Sequence, residues 1–103
     1  MKFYCDQQIL SKALNTVSKA ITQRTTIPVL KGILITATRD NKLKLTPSNL
    51  DLSIERTVDA LVEEEGSIVI SDSKFFIDLI RKLPKDQIEI ELAMNILLKY
   101  LYL

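Results

Sequence analysis

Histidine and tryptophan are absent from the 103 residues, and cysteine occurs once, at Cys5. A single cysteine closes no internal disulfide, and without histidine the usual zinc ligand sets cannot be assembled. Missing histidine also removes the commonest general base near neutral pH. Cys5 is therefore expected to be a small apolar strand residue. Glycine is almost as scarce. Gly32 and Gly66 stand alone, so there is no glycine-rich phosphate loop and no nucleotide cofactor is expected. Paired carboxylates at a fixed spacing on one helix are missing too, which leaves no constellation for catalysis or for a metal. No charge-free run approaches the length of a membrane span, and the N-terminal MKFYCDQQ lacks the apolar stretch of a signal peptide. The expectation is a cytoplasmic protein that is not an enzyme, holds no cofactor and has no membrane partner.

What is present is ordinary in amount and uneven in arrangement. Apolar residues make up 47% and charged residues 26%, values of a globular chain, and the length suits one domain. The net charge of +1 hides a segregation. Residues 1–49 carry eight Lys/Arg against Asp6 and Asp40, residues 50–65 carry six acids against Arg56, and the rest balances.

Lys2 to Cys5 reads as a strand, with Asp6 placed to cap a following helix through its carboxylate. Ile9, Leu10, Ala13, Leu14, Val17 and Ile21 fall on one arc of that helix, and Gln8, Lys12, Asn15 and Lys19 on the opposite one. Pro28 biases its predecessor to extended geometry, so the helix ends by about Gln23. Three antiparallel strands should follow. Ile33, Ile35 and Ala37 alternate, Arg39 to Lys42 turn, Leu43 and Leu45 alternate, Thr46 to Asn49 turn back, and Leu50, Leu52 and Ile54 run on towards Val58. Glu63, Glu64, Glu65 and Gly66 read as a solvated turn before the strand Ile68 to Ile70.

A second helix then begins near Ser73. Its apolar Phe75, Phe76, Leu79, Ile80 and Leu83 stand 66 residues beyond Ile9, Leu10, Ala13, Leu14 and Val17, and Asp72 stands 66 beyond Asp6. Strand, cap and helix face recur together, which implies a duplicated unit. In the second copy Pro84 to Asp86 end the helix, and Ile88, Ile90 and Leu92 alternate with Glu89 and Glu91. The copy needs two further strands and has room for about one. Residues 93–103 read as an atypical apolar tail, as from a truncation or frame change, and self-association through the C-terminal strand edge is expected.

Both helices carry cations away from their apolar faces. Lys12 and Lys19 lie seven apart with no acid between Gln7 and Arg24; Lys74 and Arg81 lie seven apart with Lys82 beside them, and Asp78 is placed to pair with one of these. Such faces can neutralise phosphates without reading bases, or can simply be solvated surface. The residues themselves leave both readings open.

MKF at the N-terminus, QRTTIPVLKGILI over 23–35, LKLTPSNLDLSIE over 43–55 and SKFFIDLIRKLP over 73–84 occur in an order and spacing that resembles the N-terminal domain of the bacterial DNA polymerase III beta subunit, the sliding clamp. The resemblance covers residues 1–92. It departs at Thr46-Pro47-Ser48-Asn49-Leu50-Asp51, where the family has a glycine and an acid, and after residue 92. It implies an α+β processivity-clamp domain, a duplicated βαβββ unit with the second copy incomplete. In the family two three-domain protomers close a ring whose helices line the hole. The resemblance points to duplex DNA as partner and to Arg24, in the loop after the first helix, with Lys12, Lys19, Lys74, Arg81 and Lys82 as DNA-binding residues. DNA polymerase III subunits and the clamp loader are the family's protein partners, docking mainly on later domains. The competing expectation is a clamp fragment or stand-alone protein-interaction module that does not encircle DNA.

Overall fold

The computed structural model describes residues 1–24, 32–47, 52–71, 73–92 and 98–102, and within these the side chains of 22–24 and 98–102 are not described. In chain order the elements are β1 (Lys2–Asp6), α1 (Gln7–Arg24), β2 (Ile33–Thr38), β3 (Lys42–Pro47), β4 (Arg56–Asp59), β5 (Leu61–Glu64), β6 (Gly66–Ile70), α2 (Ser73–Lys82), β7 (Gln87–Leu92) and β8 (Leu98–Tyr102). Two four-stranded sheets result, one ordered β5-β1-β7-β8 and the other β4-β3-β2-β6. All pairings are antiparallel. This is the expected α+β arrangement.

Alternation decides which face of each sheet turns inward. Phe3 and Cys5 of β1 stand opposite Ile90 and Ile88 of β7, and all four are buried. In the other sheet Ile35 stands between Leu45 and Ile68, and Ala37 opposite Leu43. Leu10, Leu14, Val17 and Ile21 of α1, with Phe76, Ile77, Ile80 and Leu83 on and just after α2, complete one core. Cys5 belongs to it, and burial pushes its thiol up to about 12, so it is not a nucleophile at neutral pH.

Several expectations need correction. Ile9 and Phe75, assigned to the apolar helix faces, are 54% and 63% exposed. They sit at corresponding positions, and the stripe that is buried starts one residue later in both helices. Arg24 is the last residue of α1 and not part of a loop. Leu52 to Ile54 form a turn instead of leading into β4, and Leu50 lies outside the described residues, as does Asp72. Glu63 and Glu64 are in β5, where Glu64 approaches the N-terminal ammonium at 3.7 Å and Glu63 approaches Lys2 at 3.4 Å. Glu63 and Glu64, read as part of a solvated turn, are instead exposed residues of a sheet edge facing cations, and Glu65 stands between β5 and β6.

The step from β4 to β5 carries the chain directly from one sheet to the other, with no helix between. β4 pairs with β3, β5 pairs with β1, and only Ala60 separates them. Asn41 holds that step. It sits at φ 60° in the β2–β3 turn, a conformation asparagine tolerates better than most residues, and accepts from Ala60 N at its carbonyl (3.2 Å) and from Val62 N at Oδ1 (3.0 Å). Gly66, at φ 157°, starts β6 beside Met1 in a conformation that L side chains rarely adopt.

The helices are tied at one end. Asp6 caps α1 by accepting from Ile9 N at 3.0 Å. Next to it the buried Gln7 side chain donates to the carbonyls of Ile80 (2.8 Å) and, at a longer 3.4 Å, Arg81, so the start of α1 satisfies the end of α2. Gln7→Ala removes a buried hydrogen bond and leaves the Ile80 carbonyl with only its bond from Leu83 N, and should destabilise by about 1 kcal/mol. Gln8→Ala, at an exposed neighbour, should stay within about 0.5 kcal/mol. Urea unfolding of both variants checks this, and equal effects would show that the Gln7 bond contributes nothing.

Candidate nucleic-acid interface

α1 contains no acid over its 18 residues, so its outward side carries only Lys12 and Lys19, both exposed, and Arg24, whose side chain lies outside those described. α2 exposes Lys74, Arg81 and Lys82. The seven-residue spacings place Lys12 with Lys19, and Lys74 with Arg81, on one side of their helices. The two helices touch each other and turn their buried sides to one core, so their exposed sides adjoin. The structure therefore brings five of the six expected residues onto one helical layer and places the sixth, Arg24, at its end.

Where the other charges go decides what this layer can do. Lys2 pairs with Glu89 at 2.9 Å and with Glu63, Arg39 with Glu65 at 2.9 Å, Lys42 with Asp59, and the N-terminus with Glu64. All these pairs join strands, turns or the chain terminus. On the helices the ion pair among the described residues is Arg81 with Asp78, at 3.0 Å across one turn and well exposed. Lys12, Lys19, Lys74 and Lys82 have no carboxylate within ion-pair distance among the described residues. Sequence position had made the N-terminal half the basic part; folding spends Lys2, Arg39 and Lys42 on acids from elsewhere and leaves the four helical lysines, with Lys44 and Arg56 on the strands, unmatched among the described residues. An unmatched cation layer can take phosphates, displacing counterions without reading bases.

With this geometry the chain matches the family pattern of the DNA polymerase III beta subunit, N-terminal domain, over residues 1–98. The chain belongs to that family. The beta sliding clamp of Halalkalibacterium halodurans is 41% identical over 98 residues, which is 87% of this chain and 25% of that protein. The crystal structure of the Bacillus subtilis DNA polymerase sliding clamp aligns with a TM-score of 0.77 at 32% identity, covering 97% of this chain and 28% of that one. The beta subunit from the DNA polymerase of Streptococcus pyogenes aligns at 0.72 and 29%, covering 90% and 25%. The chain thus spans about a quarter of the sliding clamps it matches. Like theirs, its fold is α+β, and none of its described helices is long and apolar enough to cross a membrane.

Away from the helices the sliding-clamp fold holds one polar cluster that sequence reasoning missed. Glu89 alternates with Ile88 and Ile90 and reads as a solvent-facing strand residue, yet it is 8% exposed. Tyr4 stands directly opposite it on β1 and donates its hydroxyl at 3.0 Å, while Lys2 reaches the same Oε1. The signal was available in the pairing of a Lys-x-Tyr strand with a Glu-rich one, but only once register was known.

Lys2, with help from Tyr4, holds the Glu89 carboxyl below its ordinary value, and Glu89 followed by Glu63 holds the Lys2 ammonium above its own. A depressed carboxyl contributes stability above its unfolded value, roughly 4.3, and loses it as pH falls through the lower folded value. A raised ammonium contributes below its unfolded value and loses it as pH rises through the folded one. Acid unfolding of Glu89→Gln should accordingly be shallower than that of the parent chain between about pH 5 and pH 2, with little difference between the two slopes from about pH 6 to pH 9. Parallel acid limbs would remove Glu89 from the account.

Proposed function

We propose that this chain acts as a sliding-clamp domain that helps tether the replicative DNA polymerase to duplex DNA, through non-specific phosphate contacts and without chemistry of its own. The observation that supports the reading is the unmatched helical cations. Lys12, Lys19, Lys74 and Lys82 stand together on rigid helices with no carboxylate in reach among the described residues, whereas Lys2, Arg39 and Lys42 are paired and the unpaired strand cations Lys44 and Arg56 lie on β3 and β4. Arg81, shared with Asp78, and Arg24, at the end of α1, extend the same layer. Contacts of this kind position a duplex without sequence preference, which suits movement along it.

Residues 1–92 carry the clamp pattern in this reading and 93–103 are its atypical apolar end. The cytoplasm is the expected location, and DNA polymerase III subunits and the clamp loader are the partners of the complete assembly. The C-terminal strand β8 pairs on one side with β7, and we assign self-association of the chain to its other edge.

Two measurements test this. In anisotropy titrations with a labelled duplex, log K should fall linearly with log salt. Lys12→Ala, Lys19→Ala or Lys74→Ala should each weaken binding uniformly across sequences and lower that slope by about 1. Lys42→Ala, which removes a cation already spent on Asp59, should leave the slope unchanged. Sequence preference, or a Lys42→Ala effect equal to the others, would overturn the helical assignment. Sedimentation over a range of concentrations should show association that weakens when Leu98 and Leu101 are replaced by lysine. A strictly monomeric chain would overturn the edge assignment.

A further inference from the structure

The helical layer differs between its two halves. α1 contains no acid, whereas α2 contains one, Asp78, among Lys74, Arg81 and Lys82. The shift of 66 residues that carries Leu10, Leu14 and Val17 onto Phe76, Ile80 and Leu83 also carries Lys12 onto Asp78. The second half thus holds a carboxylate where the first offers an ammonium. Residues three and four apart are neighbours on a helix surface, so Asp78 lies beside Lys74 on one side and beside Arg81 and Lys82 on the other.

Of these three cations it engages the guanidinium. Arg81 Nη2 donates to Asp78 Oδ1 at 3.0 Å, and neither lysine comes within ion-pair distance of a carboxylate among the described residues. A guanidinium grips a phosphate through two parallel donors, where an ammonium acts as a point charge. Arg81 is the one guanidinium among the described side chains of the layer, and it carries an internal anion before any phosphate arrives. Both side chains of the pair are exposed, so the pair is weak and a phosphate can reach the same donors.

We propose that Asp78 is a built-in competitor for the phosphate site at Arg81, and that it lowers the hold of α2 on the duplex by one contact. The inference rests on the DNA reading above and concerns how tightly that site binds. When a phosphate takes Arg81, Asp78 loses its partner and takes up another cation in its place. The exchange leaves the net release of ions near zero, so Arg81 adds position and little affinity, while Lys74 and Lys82 bind as free cations do. When the phosphate moves on, a carboxylate held one turn away restores the pair without waiting for an ion from solution. The strongest phosphate ligand of the layer is thereby also readily released. Lys12, in the equivalent place on α1, has no such competitor on its own helix.

The experiment is a set of anisotropy titrations of a labelled duplex against the full 103-residue chain and its variants over a range of salt. Asp78→Asn should steepen the fall of log K with log salt by about 1 and tighten binding about tenfold at roughly 0.1 M salt. Asp78→Glu, which keeps the charge one turn from Arg81, should match the parent. In an Arg81→Ala background Asp78→Asn should tighten binding by no more than about twofold, the remainder being screened interaction at a distance. Asp59→Asn changes the net charge equally, on β4, and should leave the slope unchanged. Tightening of equal size in the Arg81→Ala background, or by Asp59→Asn, would show a general charge effect and overturn the competitor. Unchanged or weaker binding by Asp78→Asn would do the same while leaving the DNA reading in place. Absence of duplex binding by parent and variants alike would sink the DNA reading itself, and this inference with it.

Discussion

Strand β1 is hydrogen-bonded on both sides, to β5 from the end of the first half and to β7 from the second, and the rest of the fold depends on that placement. The N-terminal strand of one half is the interior strand of the other half's sheet, and β6 is lent in the opposite direction to β2. Neither half can form its sheet alone. Phe3 and Cys5 supply the inward side chains of a sheet whose other inward residues, Ile88, Ile90 and Leu92, lie more than 80 positions later. The N-terminus is fixed by the same exchange, since Met1 trades hydrogen bonds with Leu92 and its ammonium approaches Glu64. Such long closures are entropically expensive, so the structure concentrates polar fastenings where they meet: Tyr4 and Lys2 on Glu89, Gln7 N on the Asp86 carbonyl, and Gln7 Nε2 on the end of α2.

Exchange also explains the charge distribution. Bringing β1 between β5 and β7 sets Lys2 against Glu63 and Glu89, and the β2–β3 turn brings Arg39 and Lys42 to the acids of 59–65. These acids meet cations of β1, β3 and the β2–β3 turn because the run from β4 to β5 lies along an edge of each sheet. The helices take no part in this, and α1 contains no acid of its own. Chain-level net charge near zero is thus compatible with a helical layer that remains positive.

Much of this was legible in the residues before register was known. The apolar alternation of β2, β3 and β7, the Asp6 cap and the buried Leu10, Leu14, Val17, Phe76, Ile80 and Leu83 all follow from period and spacing. The recurrence was legible only in part. Helix positions repeat at 66, but inward residues of the first strands correspond at 65, and those of the hairpins at 55. α2 has 10 residues where α1 has 18, and the lost turns shorten the period without disturbing the pairing. A single offset therefore finds the helices and misses the hairpins. Ile9 and Phe75 misled for a different reason. Each sits in a first turn whose buried arc begins at the next residue, and hydrophobicity alone does not say where an arc begins. Glu89 was invisible because its burial comes from the cross-strand neighbours Tyr4 and Lys2, not from its own alternation. The basic layer was legible as residues, since Lys12, Lys19, Lys74 and Lys82 stand out on their helices; that they remain unmatched required knowing where the acids fold.

Rigid placement is what turns those lysines from a composition into a surface. A lysine on a flexible loop follows whatever carboxylate is near, whereas on α1 and α2 its backbone position is set by core packing and by the Gln7 link between the helices. Asp78, the acid that faces this layer on α2, is engaged by Arg81 within its own helix. The pair is exposed and worth little, so a phosphate can replace Asp78 at Arg81 at small cost. The neighbouring lysines give up only hydration and counterions when a phosphate arrives, and recover them when it leaves. A surface with these properties holds a polyanion by its charge density and releases any particular phosphate readily, which is what contact with a moving duplex requires.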